Sequence, residues 1–313
     1  MSLLIGKRWA LLLGCMLLVF CAIPPKEIPR DSPARYHNNM GLAFLQKGDS
    51  KRAMIEFSKA IQLEPRYAEA HFNLGRTYFG RGMINAALIQ FEKTIDLEPS
   101  HAEAQYYLGL VYHRRGNLKE AVKSYSKAIQ RDPLHTEARY YLAVAYEASG
   151  DMEKTLSELK KCIEVNPRFT MARNRLGLVL QKMGSLHDAV TQYQASIQVN
   201  PNNAETYNLL GGAYFKMGRF DEALSTWEKA LKIEPSYPEV FFNMGLVHMK
   251  TERWDEAVVA FKKAIALKPD FALAHLNLGK AYYMKDMKEE ASQEWNRARQ
   301  IDPRLRLEKL PET

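Results

Sequence analysis

Residues 68–101 read AEAHFNLGRTYFGRGMINAALIQFEKTIDLEPSH, and the same design returns every 34 residues, eight times, from Ala34 to Leu305. Proline marks the period: Pro65, Pro99, Pro133, Pro167, Pro201, Pro235, Pro269 and Pro303 stand one repeat apart. Self-similarity at a fixed period of this length belongs to a stacked array rather than a globule. With position 1 at Ala34, position 8 is glycine in seven repeats (Gly75, Gly211) and Ala143 in the fourth. Position 20 is alanine in all repeats but the fourth, which has Thr155. Position 24 is large, as in Phe91, Tyr193 and Trp227, with Leu159 in the fourth repeat.

Apolar residues recur at helical spacing, as in Met40, Ala43 and Phe44 and then Phe57, Ala60 and Ile61. Small residues at positions 8, 20 and 27 allow two helix backbones to approach, and large ones at 11 and 24 fill the remaining space. Glycine at position 15 (Gly48 through Gly218) can end the first helix in a left-handed conformation. Glu252 and Asp286 replace it in the last two repeats, where a tighter or strained turn is expected. Proline at position 32 cannot extend the second helix. Each repeat therefore reads as helix, turn, helix, turn, and the chain as all-α. Positions 21 and 28 share a face of the second helix. They are aliphatic in seven repeats but Ser292 and Arg299 in the eighth, as expected of a repeat that caps the stack.

The pattern Leu74-Gly75, Tyr78, Ala87, Phe91, Pro99 resembles the tetratricopeptide repeat, and the likeness extends over residues 34–305. The resemblance implies a right-handed superhelical solenoid of eight helix-turn-helix units (34–67, 68–101, 102–135, 136–169, 170–203, 204–237, 238–271, 272–305). First helices would line its inner groove. Because each repeat touches only its neighbours, no domain boundary is expected within the array. Residues 306–313 form a short tail.

Residues 1–23 stand apart as a signal or membrane anchor, joined by a proline-rich linker at 24–33. Lys7 and Arg8 precede an apolar run from Trp9 to Ile23, as in a bacterial export signal. The run is short for a span of about 20 residues, and the basic residues before it place the repeats outside the cytoplasm. Leu12-Leu13-Gly14-Cys15 resembles the lipobox before a lipidated cysteine. Cys15 is thus the candidate lipidation site, with an uncleaved anchor or simple secretion as the alternatives. Cys162 is alone in the repeats, at a packed position, so no disulfide framework is expected.

No His-Glu-x-x-His, Cys-x-x-Cys, phosphate-cradling glycine loop or Gly-x-Ser-x-Gly elbow occurs, so no enzyme, cofactor, metal or small-molecule substrate is expected. His37, His71 and His275 share position 4, but copies about 10 Å apart along a stack cannot share an ion.

The resemblance places positions 2, 5, 9, 12 and 13 in the groove, and helical geometry agrees that 5, 9 and 12 share a face. Position 5 supplies Phe72, Tyr106, Tyr140, Asn208 and Phe242; position 12 supplies Phe79, His113, Phe215, Met249 and Tyr283. Arg76, Arg114, Lys182, Lys216, Lys250 and Lys280 add positive charge at positions 9 and 13. Aromatic anchors with interleaved cations suit an apolar, acidic peptide segment; the other reading of the aromatics is packing within their own repeats. Asn39, Asn73, Asn243 and Asn277 recur at position 6, a hint of backbone recognition. The net charge of +8 is spread over many helices with no nucleic-acid motif, which favours acidic partners or membranes over nucleic acid.

The expectation is a non-enzymatic protein-binding scaffold of the bacterial cell envelope, exported and anchored facing the periplasm at the inner or outer membrane. The exported leader followed by repeats resembles tetratricopeptide lipoproteins of type IV pilus biogenesis and secretin assembly. An adaptor for an envelope protease, a polysaccharide-export system or a glycosyltransferase is the alternative.

Overall fold

The computed structural model describes residues 32–305; the leader, with Cys15 and Cys21, most of the linker and the tail after Leu305 lie outside the described residues. Every described element is a helix, and each 34-residue frame holds two. The chain divides into two compact units, one ending at His101 and the other beginning at Ala102. In a stack, each repeat is joined to the next through a single interface, so a boundary can fall between repeats without marking the repeat pattern.

Unit 1 holds α1 (Pro33–Gln46), α2 (Ser50–Leu63), α3 (Ala68–Gly80) and α4 (Ile84–Leu97). Unit 2 holds six pairs: α5 (Ala102–Arg114) and α6 (Leu118–Arg131), α7 (Thr136–Ala148) and α8 (Met152–Val165), α9 (Thr170–Lys182) and α10 (Leu186–Val199). They are followed by α11 (Ala204–Lys216) and α12 (Phe220–Ile233), α13 (Pro238–Lys250) and α14 (Trp254–Leu267), α15 (Ala272–Met284) and α16 (Lys288–Ile301). No helix among the described residues is long and apolar enough to cross a membrane.

The pairs close through position 8. A Cβ on Gly41, Gly177 or Gly245 would lie 2.5 Å from the ring of Phe57, Tyr193 or Phe261, so glycine here sets how near the two helices come. The fourth repeat solves the same problem in reverse: Ala143 carries the methyl and Leu159 gives up the ring, and both are fully buried beside Thr155 and Cys162. Its substitutions compensate one another across the contact.

The turn between the paired helices has one geometry throughout. The position 16 amide bonds the position 11 carbonyl, as from Asp49 to Phe44 at 2.9 Å and from Arg253 to His248 at 2.8 Å, the six-to-one closure of a helix C-terminus. This needs a left-handed residue at position 15. Gly48 has φ 76° and Gly218 φ 73°; Glu252 and Asp286 keep the same conformation at φ 58° and 60° and bear the steric cost of a side chain there.

Within each unit, positions 3 and 10 seat a first helix on the second helix that precedes it. Ala138 and Ala145 join the cluster of Tyr125 and Ala128, and Ala172 and Val179 join that of Leu159 and Cys162. In the first repeat position 3 is Tyr36, 61% exposed. At the other end α16 buries only Ala291, Trp295 and Ala298, and Arg299 is exposed, the polar outer face of a terminal repeat.

Gly245→Ala should lower stability by about 1–3 kcal/mol through overpacking against Phe261. Adding Phe261→Leu, the arrangement of the fourth repeat, should restore part of the loss; urea unfolding followed by circular dichroism measures both, and an additive double variant would contradict the contact. Glu252→Gly should raise the unfolding free energy by about 0.5–1 kcal/mol, seen as a higher urea midpoint, as left-handed strain is relieved.

Candidate functional site

The first helices divide the candidate groove residues by depth. Position 5 lies deep: Phe72, Tyr106 and Tyr140 are 7%, 9% and 9% exposed. Each ring is wedged between rings of its own repeat. Phe72 lies 6.1 Å from Phe91 and 4.6 Å from His101, and Tyr106 lies 6.2 Å from Tyr125 and 4.8 Å from His135. Tyr140 meets Phe169 at 5.6 Å, and Phe242 meets Phe261 at 5.8 Å and Phe271 at 4.9 Å. These rings pack within their own repeats, which is the other reading of the aromatics: position 5 ties the residue at position 34 to position 24, although Phe242 stays half-buried. Asn208 does the same with hydrogen bonds, its Nδ2 donating to the Tyr237 hydroxyl at 3.4 Å.

Position 12 is the accessible midline. Phe79, His113, Phe215, Met249 and Tyr283 are half-buried; Phe215 leans on Trp227 at 6.4 Å and Tyr283 on Trp295 at 5.8 Å, each with one side covered. The cations at positions 9 and 13 are exposed: Arg76 in unit 1, over the Phe72 ring at 5.5 Å, and Arg114, Lys182, Lys216, Lys250 and Lys280 in unit 2.

Charge on this face is ordered along the helices. Position 2 holds Glu103, Glu137, Glu205 and Glu239 at the N-terminal ends of α5, α7, α11 and α13. Position 13 holds the basic residues at the C-terminal ends of α5, α9, α11 and α13. Each sign matches the helix dipole at its end. Four of the six first helices of unit 2 thus contribute to an acidic edge and four to a basic edge, on either side of the position 12 midline. The acidic edge was missed when the cations were read off, although glutamate recurs visibly at position 2.

Where the midline reaches the fourth repeat it carries a charge. Glu147 is buried on α7 and bonded at 2.6 Å by both Arg175 Nε and Lys182 Nζ on α9. Burial works against its ionisation, but the two cationic donors outweigh that and hold the carboxyl below its usual range. His113 is shifted the other way: burial, then the charge of Arg175, lowers its basicity. Beside this group a cavity of about 130 Å3 is lined by Tyr140, Met171, Asn174, Arg175, Leu178 and Glu205. Asn174 donates to Thr206 Oγ1 at 2.8 Å, and its Oδ1 is buried without a partner. Arg175 was missed in the sequence because its partner is 28 residues away, a spacing no helical period reveals.

The recurring asparagines are bound within the fold. Asn73 donates to Asn38 Oδ1 at 3.0 Å and Asn243 to Asn208 Oδ1 at 3.1 Å, position 6 to position 5 of the preceding repeat. Asn277 donates to the Leu273 carbonyl of its own helix at 2.8 Å, whereas Asn39 is exposed. The position 4 histidines also have a structural account: His37 meets Glu56 at 2.6 Å, His71 meets Gln90 at 2.7 Å, and His275 meets Glu294 at 2.5 Å. The second ring nitrogens of His71 and His275 lie 3.1 Å from the carbonyls of Pro65 and Pro269, tying the turn between repeats. Arg139 bonds Glu158 and the Pro133 carbonyl in the same way. The Cys162 thiol is buried 3.5 Å from the Thr136 carbonyl, and burial pushes it up to about 12.

Family models for the TPR repeat match residues 41–82, 182–218, 211–252 and 249–286, and models for the tetratricopeptide repeat match 72–133 and 112–175. No curated protein matches the chain. Among solved structures, a tetratricopeptide repeat protein from Parabacteroides merdae is similar with a TM-score of 0.60 at 19% identity, over 83% of this chain and 98% of that one. PilF of Pseudomonas aeruginosa is similar with a TM-score of 0.57 at 20% identity, over 65% of this chain and 93% of that one. At these identities the likeness is one of fold.

Glu147→Gln should cost about 1–2 kcal/mol at neutral pH, since it leaves Arg175 and Lys182 without their carboxylate at a partly screened site. The native carboxyl has a lowered folded-state value, so its contribution is present above the ordinary value of 4.5 and fades as pH falls through the folded-state value. The gap in unfolding free energy between the two proteins should therefore close in acid; a gap independent of pH would contradict the ion-pair account.

Proposed function

Because the chain belongs to the tetratricopeptide repeat family, we propose that it is a non-enzymatic scaffold that binds an extended segment of a partner protein across the first-helix face of unit 2. The carrying observation is the ordering of charge there: glutamates along one edge, half-buried His113, Phe215, Met249 and Tyr283 between, and Arg114, Lys182, Lys216 and Lys250 along the other. A segment lying across these helices would meet all three stripes. Its apolar side chains would rest on the midline and its carboxylates would face the basic edge. The exposed lysines add steering at long range, so association is expected to weaken with salt.

The setting we propose is the bacterial envelope. It rests on Lys7, Arg8 and the apolar run from Trp9 to Ile23, which read as an export leader, with Cys15 as the residue for a lipid anchor. A scaffold held there by its N-terminus would present the repeats to periplasmic partners, with pilus or secretin assembly as the pathway the leader-plus-repeat organisation favours.

A photo-cross-linking residue at Met249, in the full chain expressed in a bacterial host, should give discrete protein adducts that fall at least five-fold in a Lys216→Glu/Lys250→Glu background. The same residue at Lys229 on α12 serves as the control. Adducts unaffected by the charge reversal, or equal at both positions, would overturn the groove assignment. Mass spectrometry of the mature N-terminus tests the anchor separately: a diacylglycerol adduct on Cys15 is the expected mass, and an intact Met1 would remove lipidation.

A further inference from the structure

We propose that unit 1 rests on an anionic lipid surface through the turns that join α1 to α2 and α3 to α4. The inference builds on the envelope setting proposed above and adds to it the face that meets the bilayer. Two open clefts adjoin at these turns. One, of about 630 Å3, lies between α2 and the α3–α4 hairpin; Met54, Ile55, Tyr78 and Met83 line it, with Lys51 and Lys59 among them. The other, of about 480 Å3, has Lys47, Asp49, Lys51 and Arg81 in its lining. Lys51 belongs to both, so an apolar surface passes directly into a basic one.

The apolar side chains here are more exposed than the repeat pattern requires. Position 22 looks outward from each second helix. It is polar in five of the six repeats of unit 2, as at Lys123 and Ser157, but Ile55 in the first repeat, 54% exposed, and Ile89 in the second, 61% exposed. Position 16 opens the second helix. Asp49 and Asp151 there accept from the amides of Arg52 and Lys154, whereas Met83 caps nothing and is 44% exposed. Large apolar side chains grouped at a surface mark a place of contact.

Charge and tether select the occupant. Lys47, Lys51 and Arg81 are exposed at the turns. Asp49, the one acid in the lining of either cleft, caps α2 and pairs with Arg52 at 3.2 Å. Lys59 bonds Glu56 at 2.8 Å, and Glu92 and Asp96 stand toward the far end of α4. Apolar side chains set among lysines compose a face that lies in a bilayer interface, where lysine stems follow the apolar surface and the ammonium groups meet lipid phosphates. Nine residues, 24–32, separate the apolar run ending at Ile23 from α1, a reach of at most about 30 Å when extended. The 14 residues of α1 carry the chain about 21 Å to the α1–α2 turn. A leader held in the membrane therefore leaves these turns free to lie on its surface. The run is short for a span, so a second contact would strengthen the hold of an uncleaved leader.

The full chain, with a photo-cross-linking residue in place of Met83, should be mixed with vesicles of phosphate-radiolabelled phosphatidylglycerol and phosphatidylcholine, or of labelled phosphatidylcholine alone. Flotation reads binding, and label on the protein reads lipid at that residue. The Met83 position should give lipid adducts at least five-fold above the same residue at Lys229 on α12, and at least five-fold above its own yield in phosphatidylcholine. Lys51→Glu/Arg81→Glu should lower the Met83 adduct at least five-fold while flotation and helical circular dichroism are unchanged; if that variant does not fold, the two lipid compositions decide. Flotation with equal adducts at Met83 and Lys229, or equal adducts in the two lipids, would overturn this assignment alone. No flotation with either vesicle would overturn it together with the membrane anchor. Protein adducts in place of lipid adducts at Met83 in a bacterial host would give the face to a protein partner and overturn it as well.

Discussion

The structure depends on one contact, a ring laid against a helix backbone where no side chain intervenes. At position 8 the aromatic residue of position 24 comes so close that a methyl would overlap it, at Gly41, Gly109, Gly177, Gly211, Gly245 and Gly279 alike. This fixes how near the two helices of a repeat lie. Interiors packed to crystal density do not absorb a methyl group freely, so the same separation is inherited by each neighbour. It also makes position 24 a platform on which the rings of positions 5 and 12 come to rest. Phe261 takes Phe242 at 5.8 Å, and Trp227 takes Phe215 at 6.4 Å. A groove residue here is thus never free of the core; it differs from its neighbours only in how much of its ring stays uncovered.

That last point explains what the sequence could and could not convey. The helices, turns and cap were legible because they follow from spacing: glycine at position 15, proline at 32, aliphatic residues at 21 and 28 ending at Ser292 and Arg299. Depth is not a spacing. Positions 5 and 12 lie on one helical face, but position 5 sits beneath the aromatic or histidine of position 34, whereas position 12 lies toward the far end of the helix and stays half open. A 34-residue register shows that both recur; it does not show that His101, His135, Phe169 and Phe271 fold back over one of them. The bonds between repeats were hidden for a related reason. They join residues 28 to 35 apart, as Glu147 to Arg175 and Lys182, or Asn38 to Asn73. The unit boundary after His101 left no mark at all, because its turn carries the same proline as the others.

The electrostatics of the first-helix face follow from a local rule with a collective result. A glutamate in the first turn and a lysine in the last turn each stabilise their own helix by complementing its dipole. Repeated on neighbouring helices pointing the same way, the same choices line up into two opposed edges. No single repeat requires such an arrangement, yet the stack produces it, and between the edges the dielectric is lowered by half-buried side chains. The Glu147 cluster shows how strongly cations and a carboxylate can couple in that strip: a buried acid stays ionised because two bases from the next repeat reach it.

In a chain of near copies, information resides in departures from the pattern, and the departures here fall into two kinds. Some are answered nearby. Ala143 adds a methyl and Leu159 withdraws a ring; Glu147 puts a charge on the midline and Arg175 and Lys182 neutralise it. Such pairs preserve the fold and need no further explanation. Others are unanswered. Glu252 holds a left-handed backbone that glycine holds elsewhere, and one turn before it His248 stands where five repeats have tyrosine. Both lie in the seventh repeat, next to the loosest seam of unit 2. A stack whose stability is summed from neighbour to neighbour can concentrate unfavourable terms in one repeat without losing the rest.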